Sequence, residues 1–427
     1  MLGVGFGLAV IIGNTIGAGI FQAPGTIAGQ LPHPWWFLGI WVLGGVYALL
    51  GAISLAELGT MLPRSGGQYV FSRYALGEYA GFIVGWSDWI SSCGSTGAVA
   101  LVAGTFAGAL VPALNGKAPA VAATMAIVFA ALQWHGIVWG SMIQNVTSLL
   151  KALAFFVLVA AAFALGSGGG ALTSTETYST STVTMAAIVI SLQSAIYTYD
   201  GWAGVIYFSE EVENPGRDIP RSLFGGVVTI MAIYLLVNVA LLYVLPISGI
   251  AGKEFAAGEA ANVIFGRHGD TVFRCLTIVS MLSGINALHL MATRVVFAMS
   301  RDGLFTEKAA VVNKGGTPTV SLFLSAAVAV IFILFGRTFN KVITILAFFF
   351  VADYILSFVS LFVLRWREPE KPRPYRAWGY PVTPALALIG SVIFLAGAIY
   401  SDRENSLYAL ALLAASYPVF RLLKLLK

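Results

Sequence analysis

Apolar residues in this chain run in long blocks bounded by glycine, proline or charge. The blocks cover residues 3–29, 35–61, 75–113, 118–134, 141–166, 185–213, 222–246, 270–300, 318–336, 341–365, 382–400 and 406–423. A helix that crosses a bilayer needs about 20 apolar residues. The pattern therefore predicts an all-α integral membrane protein of about 12 transmembrane helices, here called spans 1 to 12. Spans 3 and 8 are long and are expected to tilt or to run past the hydrocarbon.

Composition agrees with this reading. Of the 427 residues, 58% are hydrophobic and 10% charged, whereas a soluble domain carries about a quarter charged residues. The formal charge of +5 does not point to nucleic acid, because the basic residues cluster in particular loops. Of the 24 Lys and Arg residues, Lys117, Lys253, Arg267, Arg274, Arg337, Lys341 and Arg403 fall on one side, while Lys151 and Arg294 fall within spans. The other 15 share the opposite side, which the positive-inside rule assigns to the cytoplasm. Both termini are expected there, and an even number of spans agrees. Residues 167–184 are rich in Gly, Ser and Thr and lack Lys and Arg, so they read as a flexible outside loop. Residues 365–381 are basic and read as cytoplasmic.

Little suggests an enzyme. Cys93 and Cys275 both lie in apolar stretches, and no disulfide framework is implied. His33, His135, His268 and His289 share no metal-ligand spacing, and no phosphate-cradling loop or nucleophile elbow is present. No metal or cofactor is expected. Span 1 contains polar Asn14 and Thr15 and lacks a cleavable end, so it reads as a membrane helix and not as a signal peptide.

Span 1 carries the most information. Within Ile11–Phe21, the residues Gly13, Asn14, Thr15, Gly17 and Gly19 fall mid-membrane. Unwound backbone is tolerated at that depth only where it is buried in protein or lines a cavity. Where a helix restarts, its free N–H groups and positive dipole end attract an anion such as a carboxylate. The alternative reading is a close-packing glycine surface. Span 6 has its own mid-span interruption at Tyr197-Thr198-Tyr199-Asp200-Gly201-Trp202. Spans 1 and 6 each head a group of five, and paired interruptions in two repeats point to a transporter site.

The run Gly17-Ala18-Gly19-Ile20-Phe21 resembles the first-helix motif of the amino acid–polyamine–organocation (APC) superfamily. Pro63-Arg64-Ser65-Gly66-Gly67-Gln68-Tyr69 and Tyr199-Asp200-Gly201-Trp202 are similar to further motifs of that superfamily. So are Glu210–Pro215, Ile219-Pro220-Arg221 and Gly379-Tyr380-Pro381. Within the superfamily the chain looks most like L-type (LAT-like) amino acid transporters. The resemblance implies one membrane transport domain over 1–427 with a LeuT-like fold. That fold has inverted five-helix repeats at 1–166 and 185–365, broken helices 1 and 6, and two additional helices at 382–423.

It also implies an L-amino acid held between the breaks. Its carboxylate would meet N–H groups of Gly17, Ala18 and Gly19. Its ammonium would meet carbonyls near Thr15, Ile16, Tyr197 and Thr198, with Tyr199 and Gly201 at the opening. Ala18 stands where relatives often carry Ser, so a side-chain hydroxyl is missing there. Tyr197 matches an aromatic gate. Tyr234 either lies near the substrate carboxylate or packs between helices. Asp200 and Trp202 are candidates to support the unwound segment.

Lys151 lies about ten residues into span 5, too deep to snorkel easily. By the resemblance it takes the position where related carriers bind sodium and bridges helices 1 and 8, as a fixed cation or a proton carrier. Ser92, Ser95, Ser283 and Asn286 either line the cavity or join helices. Glu57 is placed to face an Arg of a neighbouring loop, and Arg294 to reach the interface or a carboxylate. Asp88 and Asp353 have no evident partner. His289 reads as a helix-packing residue.

The expected function is sodium-independent transport of L-amino acids by alternating access, as exchanger or uniporter. Proton symport is the alternative, followed by amine or polyamine transport on the same fold. A membrane sensor and an intramembrane enzyme stand further off. A polycation calls for several acidic residues, and only Asp200 reads as near the cavity, so small to medium neutral amino acids are preferred. The expected surroundings are an amino acid substrate and a lipid bilayer, with no nucleic acid and no obligatory protein partner. The short N-terminal tail suggests a bacterial inner membrane.

Overall fold

Long apolar runs in a non-aqueous solvent have one cheap backbone solution, a helix that satisfies its own N–H and C=O groups. A computed structural model of the chain bears this out, and describes residues 3–135, 137–166, 168, 170–171, 183–336 and 339–425. In order, its helices are α1 Val4–Thr15, α2 Ala18–Gln30, α3 Pro34–Met61, α4 Gln68–Leu76, α5 Glu78–Leu110, α6 Ala118–Trp134, α7 Ile137–Leu165, α8 Met185–Tyr199 and α9 Pro215–Val244. There follow α10 Ile247–Ile250, α11 Ala256–Phe265, α12 Gly269–Arg301, α13 Thr319–Gly336, α14 Phe339–Arg367, α15 Val382–Ser401, α16 Arg403–Ala414 and α17 Ser416–Leu425. Among the described residues, eight apolar helices are long enough to cross a membrane, or nine when the bent pair α1 and α2 is taken as one span. Most of the loop expected at 167–184 lies outside the described residues.

Several boundaries differ from the sequence reading. Span 3 was expected from residue 75, but α4 stops and α5 begins at Glu78. Gly77 lies between them at φ +100°, a conformation that favours glycine and ends the first helix. Span 7 was expected from 222, but α9 starts at Pro215. Proline suits the first helical turn, and Asp218 lies favourably near the positive end. Hydropathy reads that polar turn as loop. Span 12 is split near Ala415 into α16 and α17. The sequence reading has no counterpart of α4 or α11, both too short or too polar to stand out.

Burial orders the bundle. In the most apolar stretch of α5, 78% of residues are buried, against 28% for α15 and 22% for the last segment, Arg403–Leu425. Helix α5 is therefore central and the last helices peripheral. Small residues let its neighbours approach: a side chain at Gly104 would overlap the Ala118 carbonyl of α6. Large apolar side chains such as Phe156, Phe335 and Ile393 point outward, as lipid contact requires.

Ion pairs tie the basic face. Fully buried Glu57 on α3 lies 2.6 Å from Arg365 and accepts the Ala377 N–H at 2.7 Å. Arg373, itself 2% exposed, places Nε 3.0 Å from the other Glu57 oxygen. These contacts fold the segment after α14 against α3, with the expected Glu57–Arg pairing in place. On the same face, Asp302 after α12 lies 3.3 Å from Arg64 and 2.9 Å from Arg73, and accepts the Tyr69 hydroxyl at 3.1 Å. Arg294 pairs with Glu211 at 2.8 Å, so of the two destinations expected for it, the interface or a carboxylate, it reaches a carboxylate.

Glu57→Ala leaves Arg373 buried without its carboxylate. It should cost about 3–5 kcal/mol, visible as a large fall in the thermal unfolding temperature of the purified protein in detergent. Lys424→Ala removes the half-exposed pair with Glu78 and a cation–π contact with Phe420, and should cost less than about 1 kcal/mol.

Candidate functional site

Helix α1 ends at Thr15. Ile16 (φ −76°, ψ 88°) and Gly17 (φ −132°, ψ −149°) leave helical geometry, and α2 restarts at Ala18 with its axis turned by 46°. A break this deep strands carbonyls that a continuous helix would have satisfied. Two other helices supply the missing donors. From α7, the buried Lys151 ammonium reaches the Gly13 carbonyl at 3.0 Å and the Ile16 carbonyl at 2.6 Å. From α9, the Tyr234 hydroxyl lies 2.7 Å from the Thr15 carbonyl. At the start of α2, Gly17 has no side chain with which to cap the first N–H groups. Ile16, Ala18 and Gly19 are all buried in protein and do not face lipid.

The second break lies alongside. Helix α8 ends at Tyr199, and a 3-10 segment resumes at Gly204–Glu211. Between them Gly201 has φ +101°. A Cβ at that position would sit 2.7 Å from Asn14 Nδ2 and 3.0 Å from Thr15 Oγ1. Glycine is thus required twice there, by backbone angle and by the approach of helix 1. A Cβ on Gly19 would meet Thr198 Oγ1 at 2.6 Å, so the breaks touch on both sides. Tyr234 joins them: its hydroxyl also lies 2.9 Å from the Thr198 carbonyl, one proton shared between two acceptors.

Neighbouring side chains brace the second break. Asp200 accepts the Tyr354 hydroxyl at 2.7 Å and the Gly201 N–H. Trp202 is buried against Tyr354, with ring centroids 5.4 Å apart. The Tyr199 hydroxyl donates to the Trp41 carbonyl at 3.0 Å. Tyr197 is flanked by the rings of Phe339 and Phe350.

The structure therefore brings Thr15, Ile16, Gly17, Ala18, Gly19, Tyr197, Thr198, Tyr199, Gly201 and Tyr234 around one locus, with Asp200, Trp202 and Lys151 supporting it. Of the bridge between helices 1 and 8 expected for Lys151, the helix 1 side is made, while among the described residues no hydrogen bond joins Lys151 to α12. On the side of α12, Thr277 and Ser280 line a small cavity with Lys151, and among the described residues their hydroxyls have no hydrogen-bond partner. Asn286 joins helices, its oxygens accepting from Gln133 at 2.7 and 2.9 Å. His289 packs with its ring nitrogen 3.2 Å from the Ala126 carbonyl.

One expectation is corrected. Asp200 is not the only acidic residue near the cavity: Asp88 of α5 and Asp353 of α14 line the same space. Each also has a partner. The Tyr207 hydroxyl lies 2.8 and 2.7 Å from the two Asp88 oxygens, and Ser87 donates to Asp353. A signal was available in the chain, because Asp88, Ser92 and Ser95 stand at i, i+4 and i+7, on one helix face. The pairings across distant helices had none.

Replacing Lys151 by Ala orphans two helix-1 carbonyls, and Tyr234→Phe removes the donor shared by both breaks. Orphaned buried groups cost about 1–3 kcal/mol each. Uptake by reconstituted protein should fall to background for Lys151→Ala and about tenfold or more for Tyr234→Phe. Full transport by well-expressed Lys151→Ala would remove that residue from the mechanism.

The chain matches the family described as amino acid permease over residues 7–416. It is 29% identical to the serine/threonine exchanger SteT of Bacillus subtilis (strain 168), over 98% of this chain and 95% of that protein. It is 25% identical to the b(0,+)-type amino acid transporter 1 of Homo sapiens, over 94% of this chain and 82% of that one. The Asc-type amino acid transporter 1 of Mus musculus is 25% identical over 96% of this chain and 78% of its own length. A match that spans nearly all the helices, breaks included, decides the class: this chain belongs to the amino acid permease family, and is a permease and not an enzyme.

Proposed function

We propose that the protein is a sodium-independent carrier of L-amino acids that works by alternating access and exchanges one amino acid for another. The observation that carries this reading is the contact of the two helix breaks at Gly19–Thr198 and Gly201–Thr15, bridged by Tyr234. An amino acid brings one anion and one cation to such a place. Free N–H groups at the start of α2 suit its carboxylate, and a carbonyl can accept a second donor from its ammonium.

Lys151 supports sodium independence. Its ammonium already engages the Gly13 and Ile16 carbonyls, the kind of oxygen ligands a hard cation would need. The exchanger mode is suggested by the serine/threonine exchanger among the relatives. Inverted repeats at 1–166 and 185–365, with 382–423 added, fit breaks that each fall in the first span of five. A plasma membrane, in a bacterium the inner one, fits the basic face, with both termini on the cytoplasmic side. The preference for neutral side chains loses its main support now that three aspartates line the cavity.

The test is uptake of radiolabelled amino acids into proteoliposomes holding the purified chain alone. Uptake should rise at least tenfold when the vesicles are preloaded with amino acid, and should not change when choline replaces sodium. Strict dependence on sodium would overturn the cation assignment of Lys151. Equal uptake into empty and loaded vesicles would make the protein a uniporter, and drive by a pH gradient alone a proton symporter.

A further inference from the structure

On the basic face, the segment that follows α14 crosses α3 at Glu57 and comes to rest on α9. A Cβ at Gly216 of α9 would sit 2.7 Å from Pro374. The Phe224 ring of α9 lies 5.7 Å from that of Tyr375 and 5.2 Å from that of Trp378, the last two planes being parallel to within 2°. Trp378 still remains 65% exposed, with one ring face open.

Two arginines flank this stack. Arg221 precedes Phe224 by one helical turn, and Arg376 lies between Tyr375 and Ala377 on the crossing segment. Both are exposed, and among the described residues neither has an ion pair or a hydrogen bond. The neighbouring carboxylates are already engaged: Asp218 by Arg217, Glu57 by Arg365 and Arg373, and Glu368 by Lys371. The depth suits an interface. The 30 residues of α9 span about 45 Å at about 1.5 Å each, close to a bilayer with its headgroups. Arg221 is about 9 Å from the start of α9, near the border of headgroups and hydrocarbon.

From the stack an apolar groove runs into the membrane, with α3 as its floor. Gly45 of α3 faces α9, where a Cβ would meet Met231 at 2.8 Å. Tyr47 faces α15, its hydroxyl 2.8 Å from that of Ser391. Val46 points between the two, on one helix face with Val42 and Leu43, and all three are exposed. Val228 on α9, one turn past Phe224, and Val382 at the start of α15 are exposed as well. A soluble anion would leave this groove uncovered, and an uncharged lipid tail would leave the two guanidinium groups without a partner. A phosphodiester matches the guanidinium fork, and its acyl chains match the groove. A zwitterionic headgroup adds a cation of its own, which the two arginines repel.

We propose that this place binds one anionic phospholipid from the leaflet on the basic face, with its headgroup held by Arg221 and Arg376 and an acyl chain lying along α3 between α9 and α15. Basic pockets between helix ends recognise such headgroups.

The experiment counts lipid retained by the purified full chain, by native mass spectrometry from detergent. The probes are phosphatidylglycerol and phosphatidylcholine with identical acyl chains. One phosphatidylglycerol should be retained about tenfold or more over phosphatidylcholine. Arg221→Gln and Arg376→Gln should each lower that ratio several-fold, and the double variant should bring it close to one. Val46→Trp fills the groove and keeps both arginines, and should lower phosphatidylglycerol retention several-fold. Arg421→Gln, at an exposed arginine of α17, which packs on α5 and α16, should leave the ratio unchanged. Equal retention of the two lipids by the wild type would overturn the proposal whatever the variants do. A loss for Arg421→Gln equal to that for Arg221→Gln would make the attraction a property of the whole basic face and overturn the site. Full retention by Val46→Trp, or displacement of the lipid by inorganic phosphate, would leave an anion contact without a seated chain and overturn it too.

Discussion

In hydrocarbon a backbone carbonyl without a donor costs several kcal/mol, and this constraint shapes the centre of the molecule. Opening helix 1 between Thr15 and Ala18 creates such carbonyls. Lys151 and Tyr234 answer them from helices α7 and α9, at 2.6–3.0 Å. The cost of the break is therefore spread over three helices, and the opened peptide groups stay available without facing lipid. Tyr234 extends the arrangement, since its one proton serves a carbonyl from each break. Two interruptions that are separate in the chain become one structural unit.

Side-chain chemistry follows a similar division. At the basic face, carboxylates meet guanidinium groups: Glu57 with Arg365 and Arg373, Asp302 with Arg64 and Arg73. In the interior, Asp88 meets the Tyr207 hydroxyl, Asp353 the Ser87 hydroxyl, and Asp200 the Tyr354 hydroxyl and the Gly201 N–H. Among the described residues, these guanidinium groups hold segments together at the basic face, and Lys151 is engaged by backbone carbonyls of helix 1.

Much of this was legible in the chain. Gly13 to Gly19 and Tyr199 to Gly201 stood out because glycine and polar residues are costly in an apolar run and mark interruptions. Lys151 stood out for the same reason. What was not legible depends on tertiary approach. Ser87 and Asp353 are 266 positions apart, and no local pattern links them. The start of α9 was misplaced because its first turn is polar, while its proline and aspartate suit a helix start. Helix α11 escaped because ten mixed residues carry too weak a hydropathy signal. The presence of helices was thus written in composition, and their ends and partners in contacts.

Asp302 gathers Arg64, Arg73 and the Tyr69 hydroxyl onto one carboxyl group at the end of α12. Each bond alone is modest, being partly open to solvent. They nevertheless fail together, because any displacement of α12 from α4 and the turn before it pulls the shared anchor away from all three. The contact between α12 and α4 is thus a single latch hung on one shared carboxyl group, and not three independent ties.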